Sequence, residues 1–246
     1  MTTTTSPLQR LTSQQYRHYW QHGYLILHKL LDASTVQKLT EECDRLLARN
    51  EGFRVIPEAG FRLDASGKPV CDRLDPVIPH SQFIAKVARD AAIMESVADL
   101  FGESPKLLRD KVIFKPPGVS GYGLHHDHAY WDWMGVPAHD TMSVMISVDK
   151  AERESGPLIV YGGYHDSDLP RDKDEPRDID PAAVDESRAV WCMTEPGDAV
   201  LFHARTPHRS ERNQSAHARR VLYLVYNAGK HGDLYADYQQ RRFASV

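Results

Sequence analysis

The run His125-His126-Asp127-His128, followed by Ala129-Tyr130-Trp131, concentrates imidazoles and a carboxylate in one short stretch. In an extended segment alternate side chains share a face, so His125 and Asp127 point one way while His126 and His128 point the other. Two histidines and one carboxylate on one face of an octahedron leave three positions open and suit non-haem Fe(II) oxygen chemistry. Such a site needs a further, distant histidine. Residues 195–210 offer two, His203 and His208, after a Pro196-Gly197-Asp198 turn and an apolar strand. Spacing does not choose between them.

On these residues the chain resembles the phytanoyl-CoA dioxygenase-like family of Fe(II)/2-oxoglutarate oxygenases, over most of its length. That family's pattern is a His-x-Asp, then a distal His-x-Ser, then an arginine. His125-His126-Asp127 matches the first element and His208-Arg209-Ser210 the second, and Arg219 stands eleven positions after His208. Lys115-Pro116-Pro117-Gly118, Ser155-Gly156-Pro157-Leu158 and Gly162-Gly163-Tyr164-His165 are supporting matches. The resemblance implies a metal triad of His125, Asp127 and His208 that is also the catalytic centre. It implies 2-oxoglutarate as co-substrate with its distal carboxylate on Arg219 and Ser210, and dioxygen as oxidant. The expected reaction hydroxylates an unactivated C–H bond of a small molecule and releases succinate and CO2. Halogenating members of the wider superfamily carry a small residue in place of the carboxylate, so Asp127 points to hydroxylation, with desaturation, ring closure and epimerisation as branches of the same chemistry.

Each assignment has a chemical reason. Neutral imidazoles and one carboxylate hold Fe(II) at low formal charge, and a planar guanidinium matches a carboxylate in a way that lysine does not. Choosing Arg219 over Arg220 rests on the family register, since strand alternation requires only that one of them face inward. Trp131 shares the strand parity of His125 and Asp127, so it is expected to face the site if extension persists. Both lysines of Lys111-Val112-Ile113-Phe114-Lys115 share a face and could meet an anionic substrate or co-substrate, with solvent the expected fate of at least one. His203 is read as a core histidine. A competing reading is a cupin-type metal enzyme without 2-oxoglutarate, with His126, His128, Asp132 and His203 as ligands. A third is a non-catalytic jelly-roll binding protein.

The elements that must position these residues are helices first and strands later. Thr12-Ser13-Gln14-Gln15 is a capping box for a short helix ending near Gly23, followed by a strand at Tyr24-Leu25-Ile26-Leu27. Ser34 with Gln37 reads as a second box, opening a helix with Val36, Leu39, Cys43, Leu46 and Leu47 on one face. Residues 51–79 lack periodicity, and Arg73 is the residue there to watch for a pocket role. Helices are expected over 80–89 and 91–101, stopped by Gly102. The chain is read as one mainly β domain with flanking α-helices over 1–246. Residues 1–11 are expected to be disordered, 12–105 to form a mainly helical buttress, and 106–230 to form a double-stranded β-helix, a cupin-like jelly-roll core.

Residues 166–188 carry nine acidic and four basic residues, net −5, with three prolines. A stretch of that composition is usually a solvated loop, and a lid is the functional alternative. As a lid its carboxylates would favour a cationic substrate. The net charge of −4 gives no electrostatic case for nucleic acid or an anionic membrane. No apolar run approaches the ~18 residues of a membrane span, and the first residues lack the basic and apolar regions of a signal peptide, so a cytoplasmic location is expected. Cys43, Cys71 and Cys192 are odd in number and scattered, which indicates packed thiols rather than a disulfide or zinc framework.

Overall fold

The computed structural model describes residues 7–49, 58–175 and 177–244. Helix α1 (Ser13–His22) starts on the expected box: Thr12 accepts from the Gln15 amide and the Gln15 side chain accepts from the Thr12 amide. Gly23 ends it at φ 78°, a left-handed conformation. A side chain there would also strike Thr206 and His165. Strand β1 (Tyr24–Leu27) follows, then helix α2 (Ala33–Ala48). The α2 cap is Asp32, whose carboxylate accepts from the Thr35 amide at 2.8 Å, and not Ser34 with Gln37. A carboxylate at the positive end of the helix outcompetes a hydroxyl two residues later, and Ser34 instead donates to Asp32. Val36, Leu39, Cys43 and Leu46 are buried as the stripe requires, each full-sized aliphatic contributing roughly 1.5–3 kcal/mol.

Three parts of the N-terminal half depart from the sequence reading. Residues 1–6 lie outside the described residues, but 9–11 are ordered, because the amides of Gln9, Arg10 and Leu11 all donate to the Asp99 carboxylate at 2.7 to 2.8 Å. Residues 50–57 also lie outside, and the rest of the aperiodic stretch contains a hairpin, β2 (Ala59–Leu63) and β3 (Pro69–Leu74). Its charged residues hid it: Arg62 pairs with buried Asp72 at 3.3 Å instead of facing water. The expected helical buttress therefore gives three strands to the main sheet. Helices α3 (Gln82–Val87) and α4 (Ala91–Phe101) occur as expected, and Gly102 stops α4 at φ 70°.

The remaining strands are β4 (Pro105–Ile113), β5 (Thr141–Ser147), β6 (Leu158–Tyr161), β7 (Ala189–Trp191), β8 (Ala199–His203), β9 (His208–Ser210) and β10 (Val221–Ala228). Helix α5 (Tyr235–Ala244) closes the described chain. One sheet has the order β1-β8-β5-β10-β4-β3-β2 and the other β7-β6-β9, all neighbours antiparallel. This is the jelly-roll arrangement of two packed sheets. The large sheet is covered on both faces. Val112, Val144, Ile146, Leu222 and Leu224 pack toward the helices, while Ile113, Met145, Val221 and Tyr223 pack toward the small sheet. Strand parity then fixes the site, because Lys111, Ser143 and Tyr223 must share the inner face. Among the described residues no helix is long and apolar enough to cross a membrane.

Candidate active site

His125 and His208 are brought together by backbone pairing. The His125 amide donates to the His208 carbonyl at 3.0 Å and the reverse bond is 2.8 Å, so the two imidazoles lie side by side with ring centroids 4.2 Å apart. After His126 extension ends, and Asp127–Tyr130 is a 3-10 turn that folds the Asp127 carboxylate back onto the pair. Asp127 Oδ1 lies 3.9 Å from His125 Nε2 and 3.8 Å from His208 Nε2. All three residues are buried, and one ligand atom from each falls within 4.8 Å of the others. Among the described residues they are the sole cluster of metal-ligating side chains with this geometry.

Surrounding groups fix the protonation state. His125 Nδ1 donates to the Gly123 carbonyl at 2.8 Å and His208 Nδ1 to the Thr206 carbonyl at 2.9 Å, so each Nε2 lone pair faces inward. Thr206 is anchored in turn, its hydroxyl donating to the Gly23 carbonyl at 2.6 Å. Burial and then His208 push the His125 imidazole down to about 3, and burial lowers His208 as well. Burial alone would raise the Asp127 carboxyl, but His208, Lys111 and His125 outweigh it and hold it at about 2. Ser143 donates to Asp127 Oδ2 at 2.5 Å, which leaves Oδ1 for the centre. Two neutral imidazole nitrogens and one carboxylate oxygen, all aimed at one point, are a donor set that fits Fe(II).

The pocket at the triad is lined by Lys111, Ile113, Tyr122, Leu158, Ser210 and Tyr223, among others. Ser210 Oγ accepts from the Tyr122 amide at 3.2 Å and keeps its own proton free to donate. The chain is squeezed here: a Cβ at Gly121 would lie 1.6 Å from the Ser210 carbonyl. Arg219 is buried next to Tyr122 and Tyr223, its Nε donating to the Ser155 carbonyl at 3.3 Å and its Nη1 without a hydrogen bond among the described residues. A buried guanidinium with an unmatched donor fits a carboxylate ligand. Arg220 faces the other way, onto Asp149 and Asp44. Neither Lys111 nor Lys115 is in solvent. Lys115 is fully buried, and the half-buried Lys111 ammonium lies 4.8 Å from the Tyr223 ring centroid, with no hydrogen bond or ion pair among the described residues.

Several expectations need correction. Trp131 does not face the site. The 3-10 turn breaks the parity, burying its ring with Leu108, Val225 and Tyr238 and aiming Nε1 at the Thr141 hydroxyl 3.4 Å away. Tyr130 stands at the triad instead, edge-on to His125 with centroids 5.7 Å apart. The alternative metal set is not gathered: His128 bonds the Val136 carbonyl, Asp132 caps the Trp133 amide, and His203 accepts from the Arg205 amide beside Trp20 and His165. Arg73 packs over Gly60 and beside Asp72 and does not line the pocket. The 166–188 segment is not simply solvated. Asp178 forms a backbone bridge with His125, the Ile179 amide donates to the Leu124 carbonyl at 2.7 Å, and Ile179 and Val184 are buried against Ile159 and Tyr161. Ser143 was missed, because nothing local in the sequence shows which residue of a buried strand meets a distant carboxylate.

A family model described as phytanoyl-CoA dioxygenase (PhyH) matches residues 19–221. The chain is 29% identical over 239 residues to methylphosphonate hydroxylase of Gimesia maris, covering 96% of this chain and 89% of the relative. It is 28% identical over 235 residues to 2-aminoethylphosphonate dioxygenase of an uncultured bacterium, covering 92% and 86%. Among solved structures, EctD from S. alaskensis with bound Fe superposes with a TM-score of 0.76 at 20% identity, covering 92% of this chain and 80% of that one.

Proposed function

The chain belongs to the phytanoyl-CoA dioxygenase family of Fe(II)/2-oxoglutarate oxygenases, and from that premise we propose that it hydroxylates a small molecule whose anionic end is a phosphonate or a similar oxyanion. The observation that carries the substrate class is Lys111, an ammonium beside the triad with no hydrogen bond or ion pair among the described residues. The names of the two relatives described above point to the same class.

In this reading His125, Asp127 and His208 hold the iron, with Gly123, Thr206 and Ser143 fixing the orientation of each ligand. Bound iron with 2-oxoglutarate supplies dioxygen activation and C–H oxidation, and the co-substrate leaves as succinate and CO2. Arg219 and Ser210 receive the distal carboxylate of 2-oxoglutarate, a pairing of planar guanidinium and hydroxyl with an anion. Ile113, Leu158 and Tyr223 keep water from the reacting end of the pocket. Lys111 holds the substrate oxyanion, and its charge also keeps Asp127 ionised. The 166–188 segment serves as the outer wall. On it Asp178, half-buried beside Tyr130, offers a carboxylate with no hydrogen bond or ion pair among the described residues, a counterpart for an ammonium on the substrate.

The test is succinate release with methylphosphonate, 2-aminoethylphosphonate and their uncharged analogues, in the wild type and in Lys111→Met. Phosphonates should couple to turnover, and Lys111→Met should raise their KM roughly 10- to 100-fold, the value of one charge-assisted contact, with 2-oxoglutarate affinity unchanged. Failure of every phosphonate, or loss of 2-oxoglutarate affinity in place of substrate affinity, overturns the substrate assignment.

A further inference from the structure

Lys115 sits just past β4 at φ 32°, fully buried, in a place where an ordinary lysine would be costly. Its Nζ donates to the Gly156 carbonyl at 2.7 Å. Its own carbonyl accepts from the Arg219 amide at 3.2 Å and from Asn213 Nδ2 at 2.9 Å. The neighbouring Ser155 carbonyl accepts from Arg219 Nε. Lys115 therefore grips Arg219 twice, through its backbone and through the Ser155–Gly156 turn that its side chain braces.

The anions near it are already engaged by other partners. Arg219 from the segment before β10 and Arg62 from β2 face Lys115 as cations, while Asp72 from β3 and Glu211 beyond β9 face it as anions. Asp72 Oδ2 is already taken by Tyr122 at 2.7 Å and by Arg62, and Glu211 is paired with Arg209. Arg219 has no carboxylate partner among the described residues, and its Nη1 is unmatched. Next to Tyr122 and Tyr223 of the pocket wall there is thus a buried guanidinium with an unmatched donor and no carboxylate partner among the described residues, a setting that an entering carboxylate resolves.

We infer that Lys115 is a second positioning cation for the dicarboxylate that Arg219 receives, bracing the turn that holds Arg219 and gaining one proton from solvent as the dicarboxylate enters. The inference rests on the 2-oxoglutarate reading above. Burial and then Arg219 push the free Lys115 ammonium down to about 6, so near pH 7.5 it is an uncharged amine. A carboxylate beside it favours the charged form again. One N–H bond forms at Nζ, the proton comes from buffer, and nothing is oxidised or reduced.

The experiment is anaerobic calorimetric titration of the Fe(II)-loaded protein with 2-oxoglutarate at pH 7.5, in two buffers of different ionisation enthalpy. The wild type is expected to take up about one proton per 2-oxoglutarate, and its 2-oxoglutarate Kd to rise ~tenfold per pH unit above neutrality. Lys115→Met should lose the uptake, flatten the pH profile and weaken 2-oxoglutarate about tenfold, with Fe(II) affinity and the thermal midpoint without 2-oxoglutarate undiminished. Uptake near zero in the wild type, or uptake retained in Lys115→Met, overturns the inference. If Lys115→Met does not fold, the wild-type pH profile decides, and a flat one overturns it. Wild-type protein that binds iron but no 2-oxoglutarate removes the co-substrate reading itself, a result distinct from binding without proton uptake.

Discussion

Replacing Arg219 with methionine separates ligand binding from stability at one buried position. Among the described residues the Arg219 side chain has one hydrogen bond, Nε to the Ser155 carbonyl at 3.3 Å, and leaves Nη1 unmatched. Hydrogen bonds to charged groups contribute roughly 1.5–3 kcal/mol each, so losing one or two to the co-substrate costs ~1.5–6 kcal/mol, at least about tenfold in Kd. The fold loses little, because a buried cation without a carboxylate partner is removed and the pressure on Lys115 is relieved. The assay is the weak visible band of iron-chelated 2-oxo acid, titrated anaerobically, alongside thermal unfolding without 2-oxoglutarate. The expected result is the stated loss of 2-oxoglutarate affinity, unchanged Fe(II) affinity and a thermal midpoint equal to or above wild type. Arg219→Lys should recover only part of the affinity, since an ammonium cannot reproduce the planar fork. Binding of 2-oxoglutarate within about threefold of wild type in Arg219→Met would refute the reasoning.

Asp127→Ala removes the sole anion of the triad and should abolish turnover and weaken Fe(II) at least ~100-fold; retained succinate production would exclude the triad as the catalytic centre. Asp75→Asn should cost about 3–5 kcal/mol at pH 7 by urea unfolding, because the nearly inaccessible carboxylate accepts from Arg109 at 2.5 Å and from Arg242. Burial pushes that carboxyl up, but Arg109 and Arg242 outweigh it and hold it at about 2 against 3.8 unfolded. Its stabilisation is therefore present above pH 4 and fades as pH falls from about 4 to 2, and the loss should vanish from the Asn variant. Trp131→Phe should lower stability by ~1 kcal/mol or more without altering the KM of substrate or co-substrate, whereas a selective KM effect would return Trp131 to the pocket wall.

The three side chains that gather as a candidate metal triad, the 2-oxoglutarate chemistry of the family and the jelly-roll class were legible in the sequence, because iron of this kind demands particular residue types and these stand in a recognisable order along the chain. The α1 box, the Gly23 and Gly102 stops and the α2 stripe were legible for a related reason: caps and helical periodicity act within a few residues. Where the reading failed, the controlling contact came from far away in the chain. Asp99 ties down residues 9–11 across some ninety positions, Arg62 and Asp72 satisfy each other inside an unrecognised hairpin, and a 3-10 turn after His126 turns Trp131 into the core and Tyr130 toward the triad. Residue types and their order, set by the sequence alone, thus determine which chemistry is available. The packing of two sheets decides which side chains share the inner face, and so which residues gather at the candidate metal centre and which pack around Arg219, because those partners are joined by backbone register and burial across strands distant in the chain.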